Sequence, residues 1–288
     1  MRKVIIQGFE GSFHDEIAHQ YYADTELDIV CADSFGTLVQ QFVSDHTIDN
    51  AIMAIENSIA GTILQNYRLI REQRLHIVGE AYLRIRLNLI TLPGVDMPDL
   101  TEIHSHPMAL YQCTKFLNRY PNIRLVEAED TALSVQKLAA EGTRSVGALA
   151  STRAATLYDL PVLHAGIENN KANYTRFFVV SRDEQHNTAA DKASIWCTTS
   201  HSRGSLAALL NIIADHEVNL SKLQSFPVLG RLSEYSFHLD LEFDEVATYF
   251  HLKDVLTKHC GDYHELGLYK RADISAALSG IGDSDVML

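Results

Sequence analysis

From residue 1 to about 182, short apolar runs alternate with amphipathic stretches. VIIQ precedes SFHDEIAHQYY, DIVCA precedes SFGTLVQQFVSD, and NAIMAIE precedes TILQNYRLIREQ. Strand-length runs separated by helix-length stretches predict a mainly parallel α/β sheet. LHIVGEAYLRIRLNLITL alternates at Leu83, Ile85, Leu87 and Leu89 and predicts extended chain. After it the first rhythm resumes with SHPMALYQCTKFLNRY, IRLVEA, DTALSVQKLAAEG, SVGAL and STRAATLYDL. Two α/β lobes joined through the long extended stretch fit this order better than one continuous sheet. RDEQHNTAADK (182–192) is polar and aperiodic, and predicts a linker. Beyond it come ASIWCTT, GSLAALLNIIADH, VNLSKLQSF, EYSFHLDLEF, EVATYFHLKDVLTKH and YHELGLYKR. That is strand, helix, strand, strand, helix, strand: the α+β ferredoxin-like βαββαβ order. The expected domains are therefore 1–182 and 192–273, with a disordered tail over 274–288.

Composition narrows the partners. A chain of 288 residues is long enough for two cores. Its 24 basic and 37 acidic residues leave a net charge of −13, which repels nucleic acid and anionic membranes. A small anion can still bind through local groups. The N-terminal MRKVIIQGFEGSF carries no signal-like apolar core and no run of ~18 apolar residues occurs, so the expectation is a soluble cytoplasmic protein. Cys31, Cys113, Cys197 and Cys260 are scattered without a CxxC pair, and are read as reduced, mostly packed thiols.

Serines recur where a strand has ended and a helix begins: Ser12 after Gly11, Ser105 before His106-Pro107, and Ser151 before Thr152. Each is a natural helix cap. In open α/β sheets the same places gather helix N-termini that receive anions, so both readings stand. Glu56, Asn57 and Ser58 follow an apolar strand directly and are either a turn or a ligand loop. Thr175 and Arg176 abut the apolar run Phe177-Phe178-Val179-Val180, where unpaired polar groups are costly. They either complete a satisfied strand end or face something worth binding. None of the 14 histidines forms an HExxH or a spaced Cys/His set, GFEGS lacks the ending of a P-loop, and Ser12 lacks a GxSxG elbow.

Taken together, these stretches resemble the prephenate dehydratase family. The similarity rests on GFEGSF (8–13) with Phe9 in place of a proline, IENSIAGT (55–62), SHPMALYQC (105–113), DTA (130–132), VGALASTRAATLYDL (146–160) and NYTRF (173–177). The βαββαβ region resembles an ACT regulatory domain, and the resemblance spans about residues 3–273. It implies a two-lobed catalytic domain like the periplasmic binding proteins, with lobe one over about 1–78 plus 175–182 and lobe two over about 79–174. The chain would enter the second lobe near Gly79 and return near Asn173. The implied reaction turns prephenate into phenylpyruvate on the way to L-phenylalanine, with no metal or organic cofactor. Thr175, Glu56 and Asn57 would be catalytic, with Thr175 giving a proton to the leaving oxygen and Glu56 or water assisting. Ser12, Ser58, Ser105, Gln112, Thr131, Ser151 and Arg176 would bind substrate, although a buried Arg176–Glu56 ion pair is an equal reading. Met108 stands where the family usually has glutamine.

In the C-terminal region RGSL (203–206) and QSFP (224–227) depart from the family's PGAL and ESRP. The resemblance implies an effector site for L-phenylalanine at Gly204, Ser205, Leu206, Asn219, Leu220, Gln224, Ser225 and Phe226, with altered affinity or ligand. It also implies a homodimer or homotetramer. Two rival readings remain: arogenate dehydratase, and a non-catalytic amino-acid sensor.

Overall fold

The computed structural model describes residues 1–275 apart from 186, 229, 232 and 233. The expected tail, from 276 on, lies outside the described residues. The first elements are β1 (Arg2–Gln7), α1 (Phe13–Tyr21), β2 (Leu27–Ala32), α2 (Phe35–Ser44), β3 (Asn50–Asn57), β4 (Gly61–Thr62), α3 (Leu64–Glu72) and β5 (His76–Arg84). Next come β6 (Asn88–Ile90), β7 (Glu102–Ser105), α4 (Pro107–Gln112), α5 (Thr114–Leu117), β8 (Arg124–Glu127), α6 (Thr131–Glu141), β9 (Val146–Ala150), α7 (Thr152–Leu157), β10 (Val162–His164) and β11 (Tyr174–Ser181). The last are β12 (Lys192–Thr198), α8 (Ser205–Asp215), β13 (Asn219–Pro227), β14 (Tyr235–Glu242), α9 (Val246–His259) and β15 (Tyr263–Tyr269).

Two sheets carry the α/β lobes. The first runs β2-β1-β3-β11-β5, with β4 folded back on β3; the second runs β10-β6-β9-β7-β8. β1 is parallel to β2 and β3, and β7 to β8 and β9. The apolar runs are the reason: Val4, Ile5, Ile6, Ile52 and Met53 are buried beneath Ile17 of α1 and Leu38 and Phe42 of α2. Strands covered by helices read as continuous apolar runs. Residues 81–90 divide between the sheets: β5 stays in the first through Arg84 and β6 starts the second at Asn88. The crossing thus falls within the alternating residues, between Arg84 and Asn88 and later than Gly79, because β5 still has β11 to pair with.

By compactness the chain divides into two units. One holds Met1–Leu69 and Ala81–Phe177; the other holds Ile70–Glu80 and Phe178–Ala272. In the second unit the sheet order β13-β14-β12-β15 and the connections βαββαβ give the ferredoxin-like arrangement. Ile195, Cys197, Leu239 and Leu241 on one sheet face meet Leu209 and Ile213 of α8 and Tyr249, Leu252 and Leu256 of α9. The segments 70–80 and 178–181 join this unit through specific contacts. A Cβ built at Gly267 would fall 2.0 Å from the Ile77 carbonyl oxygen, so only glycine lets β15 approach there. Lys192, 3 % exposed, sits 3.0 Å from both Glu80 and Glu242. The Phe178 ring lies 6.3 Å from His238 and 6.4 Å from Tyr269. The polar stretch before β12 ends in the same unit, since Asp191 accepts from the Arg271 backbone N–H at 2.6 Å.

Candidate active site

A cleft of about 360 Å³ opens in the first unit, lined by ends of β1, β3 and β11 and by the starts of α1, α4 and α6. Phe13, Phe35, Phe177, Ile85 and Leu87 supply an apolar wall, while Ser12, Asn57, Gln112, Thr131, Asn173 and Thr175 supply polar groups. Such a mixture suits a compact organic ligand held in a set orientation. Among the described lining residues none is Lys or Arg.

The hydrogen bonds around Thr175 orient its hydroxyl. Asn57 Oδ1 accepts from the backbone N–H groups of Ile59 at 2.9 Å and Ala60 at 2.8 Å, so the amide nitrogen must face the other way. That Nδ2 donates to Asn173 Oδ1 at 2.7 Å, Tyr174 O at 3.1 Å and Thr175 Oγ1 at 3.0 Å. Because Thr175 Oγ1 receives a hydrogen bond from Asn57, its own proton is left to point elsewhere. Thr175 is 8 % exposed and lines the cleft. Asn173 Nδ2 in turn donates to Gln112 Oε1 at 3.2 Å, which ties α4 to the same cluster. Ser58 staples the loop to β11: its Oγ donates to Ala172 O at 2.9 Å and accepts from Tyr174 N at 3.0 Å.

Of the residues singled out from sequence, Ser12, Asn57, Gln112, Thr131 and Thr175 line the cleft, and Met108 stands at its edge, 47 % exposed. Glu56, Ser58, Ser105, Ser151 and Arg176 do not. Arg176 is 2 % exposed, with Nη1 3.6 Å from Glu56 Oε1 and its guanidinium 5.9 Å from the Tyr82 ring centroid. Strand alternation is the cause: Thr175 and Phe177 point into the cleft, so Arg176 points away. Ser105 and Ser151 are fully buried and donate to backbone carbonyls, Leu149 O at 2.7 Å and Gly11 O at 2.6 Å. Ser151 and Ser12 do cap helices, whereas the cap of α4 is His106, whose Nδ1 accepts from Met108 N. Gly11 holds φ +86 with a would-be Cβ 3.1 Å from Ala154 Cα, so the first loop packs on α7 only as glycine.

Several lining residues were given no site role from the sequence. His14 Nε2 accepts from Ala54 N at 3.3 Å, which puts the ring proton on Nδ1, and burial pulls its pKa down to about 4. Its ring meets Phe177 edge-on at 5.1 Å and Phe35 at 5.5 Å. A histidine in the first turn of an amphipathic helix gives no signal of this. Asp130 caps α6, accepting from Ala132 N at 2.7 Å and Leu133 N at 3.1 Å; burial holds its carboxyl above the ordinary range even though those N–H groups pull it down. Asn173, adjacent to the Thr-Arg pair, was legible as part of the NYTRF stretch but not as the hub it is. The effector candidates lie elsewhere: Gly204, Ser205 and Leu206 at the start of α8, and Asn219, Leu220, Gln224, Ser225 and Phe226 along the edge strand β13. Cys113, Cys197 and Cys260 are buried free thiols and Cys31 is exposed. Among the described residues no cluster of His, Cys, Asp or Glu is placed to hold a metal, and no helix is long and apolar enough to cross a membrane.

Comparison with known proteins identifies the scaffold. The family model described as prephenate dehydratase matches residues 4–185. A bifunctional chorismate mutase/prephenate dehydratase of Escherichia coli K12 is 31% identical over 245 residues, covering 83% of this chain and 63% of that protein. An arogenate dehydratase/prephenate dehydratase of Arabidopsis thaliana is 34% identical over 227 residues, covering 78% of this chain and 57% of its own length. The chain therefore spans about 57–63% of the length of these curated relatives. Among solved structures, a prephenate dehydratase from Arthrobacter aurescens in complex with L-Phe is 27% identical with TM-score 0.81, covering 94% of this chain and 90% of that one. GqqA, described as a novel type of quorum quenching acylase, is 26% identical with TM-score 0.82, covering 95% and 99%. The two-lobed α/β scaffold and these matches make this chain a member of the prephenate dehydratase family.

Proposed function

We propose that this protein converts prephenate to phenylpyruvate in phenylalanine biosynthesis, as a carbon–oxygen lyase. The observation that carries the reading is the Asn57–Thr175 hydrogen bond, which leaves the Thr175 proton free for a leaving group in an apolar-walled cleft. In the reaction the bond from the ring to its carboxylate breaks and CO2 departs. The electron pair enters the ring, the ring carbon–oxygen bond breaks, and the departing hydroxide takes a proton from Thr175, which regains one from water. A threonine hydroxyl is a weak acid, so the transfer comes late, with the strong base already forming. A lining without Lys or Arg suits the decarboxylation, because pairing the departing carboxylate with a cation would stabilise the ground state more than neutral CO2. Ser12, Gln112 and Thr131 are assigned to orienting the substrate, and Glu56 and Arg176 to holding β3 against β11.

We read the βαββαβ region as an ACT domain that pairs with a second copy through the open edge of β13. Its effector is L-phenylalanine or a related amino acid, bound at the eight residues of α8 and β13 named above. The strand order of the second unit and the L-Phe complex of the Arthrobacter relative support this. Light scattering checks the pairing: a monomer at all concentrations sinks it.

Acyl hydrolysis, the activity named for GqqA, would need a nucleophile activated by a base. In the cleft Ser12 Oγ accepts from Asp15 N and His14 Nε2 from Ala54 N, an arrangement that does not activate a nucleophile. The deciding experiment supplies purified protein with prephenate and with arogenate, following phenylpyruvate and phenylalanine. Faster turnover of prephenate is expected. Faster turnover of arogenate would move the assignment to that substrate, and ligand binding without turnover of either would make the protein a sensor.

A further inference from the structure

The chain has one tryptophan, Trp196 on β12, and it faces a second cavity of about 650 Å³. All of the lining belongs to the second unit, and this cavity shares no lining residue with the cleft. Arg71, Arg74, His76 and His264 supply its polar groups. The Arg71 guanidinium lies over the indole, 4.7 Å from the ring centroid. His264, cross-strand partner of Trp196, brings its own ring to 5.4 Å. Leu75 and Leu266, both buried, add apolar wall. The one carboxylate in the lining, Glu265, is engaged by Lys253 at 2.8 Å and by the Tyr249 hydroxyl.

This local balance runs against the whole protein. A net charge of −13 predicts acidic surface, yet among the described lining residues two arginines and two histidines stand with a single carboxylate, Glu265, which Lys253 engages. A guanidinium fork can grip a carboxylate or phosphate through two parallel hydrogen bonds, and Arg74 brings one to this cavity beside the indole. The volume falls in the range that organic ligands fill.

We propose that this cavity binds a small organic oxyanion, a carboxylate or phosphate carried on a compact apolar body. Arg74 takes the charged head, with the histidines beside it, and the body rests against the two leucines and the indole that Arg71 covers. The site is independent of the cleft and of the residues assigned to the effector.

Because Trp196 is the chain's only tryptophan, its fluorescence reports on this cavity. The full-length protein is titrated with 3-phenylpropionate, with phenyl phosphate and with sodium chloride at matched ionic strength, and calorimetry is run in parallel. A saturable change with at least one organic anion and none with chloride is expected. Arg74→Gln, which leaves the Arg71–indole contact in place, should weaken binding by about tenfold, as should His264→Gln. Saturation by phenyl phosphate alone would identify a phosphate ligand, and by 3-phenylpropionate alone a carboxylate. The proposal is overturned by no saturable change, or by binding of equal strength in folded Arg74→Gln, which would place the anion in the cleft.

Discussion

The Asn57 amide nitrogen stands 3.0 Å from the Thr175 hydroxyl oxygen, across 118 residues of sequence. Two backbone N–H groups fix the amide by holding its oxygen, so Thr175 accepts from Asn57 and its own proton is directed away from that amide.

Removing that donor should strike the chemical step. Thr175→Val is expected to lower kcat by about 100- to 1,000-fold with little change in KM, the usual scale for a positioned proton donor. Thr175→Ser should keep a substantial part of the rate. Steady-state kinetics on prephenate checks both, and a valine variant with near-normal kcat would remove Thr175 from the mechanism.

Glu56→Gln separates structure from catalysis. If the carboxylate serves the buried Arg176, the variant loses about 1–3 kcal/mol of stability, since a buried guanidinium forfeits a charged neighbour. Its kcat stays within a few-fold of the parent. Urea unfolding with parallel kinetics tests the idea; a large drop in kcat at unchanged stability would return Glu56 to the reaction.

Glu16 makes stability depend on pH. Burial, partly offset by Arg153, raises its carboxyl from the ordinary value near 4.5 to about 7. Between those two values the folded protein holds a proton that the unfolded chain has released, so stability falls as pH rises through that window. Glu16→Gln should therefore stabilise the protein by about 1–3 kcal/mol at pH 8 and hardly at all below pH 4.5. Thermal melts across pH are the check, and an equal effect at both ends would refute it.

His14 behaves in the opposite sense. With its pKa held near 4 by burial, the folded ring stays neutral where the unfolded ring is protonated, and stability is lost as pH falls from about 6.5 through about 4. Its ring resonances should show no titration above about pH 5.5. A midpoint near 6.5 by nuclear magnetic resonance would show an open, solvated ring.

At Gly267 a single methyl group should be severe. Its Cβ would meet the Ile77 carbonyl oxygen, so Gly267→Ala forces β15 and the start of β5 apart and is expected to cost about 3 kcal/mol or more. Denaturant unfolding measures this. Parent-like stability would mean the two segments separate freely.

The set of elements and the order in which they come were legible along the chain. Apolar runs such as NAIMAIE and helix-length stretches such as DTALSVQKLAAEG are local signals, because covering a strand or one helix face requires a period readable within a dozen residues. The ordered motifs also marked Asn57, Gln112 and Thr175 as cleft residues. Which way neighbouring polar groups turn was settled by folding alone. Thr175 and Arg176 are adjacent in sequence, yet strand alternation sends one into the cleft and the other to Glu56. Ser105 and Ser151 looked like ligand groups, but they answer carbonyls of Leu149 and Gly11 brought in from distant segments. His14 becomes a neutral cleft wall, and Arg71 and Trp196 share a cavity, only because folding joins residues far apart along the chain. A hydroxyl, a carboxylate or an imidazole takes its meaning from the partner that satisfies it, and that partner is chosen by packing rather than by sequence neighbours.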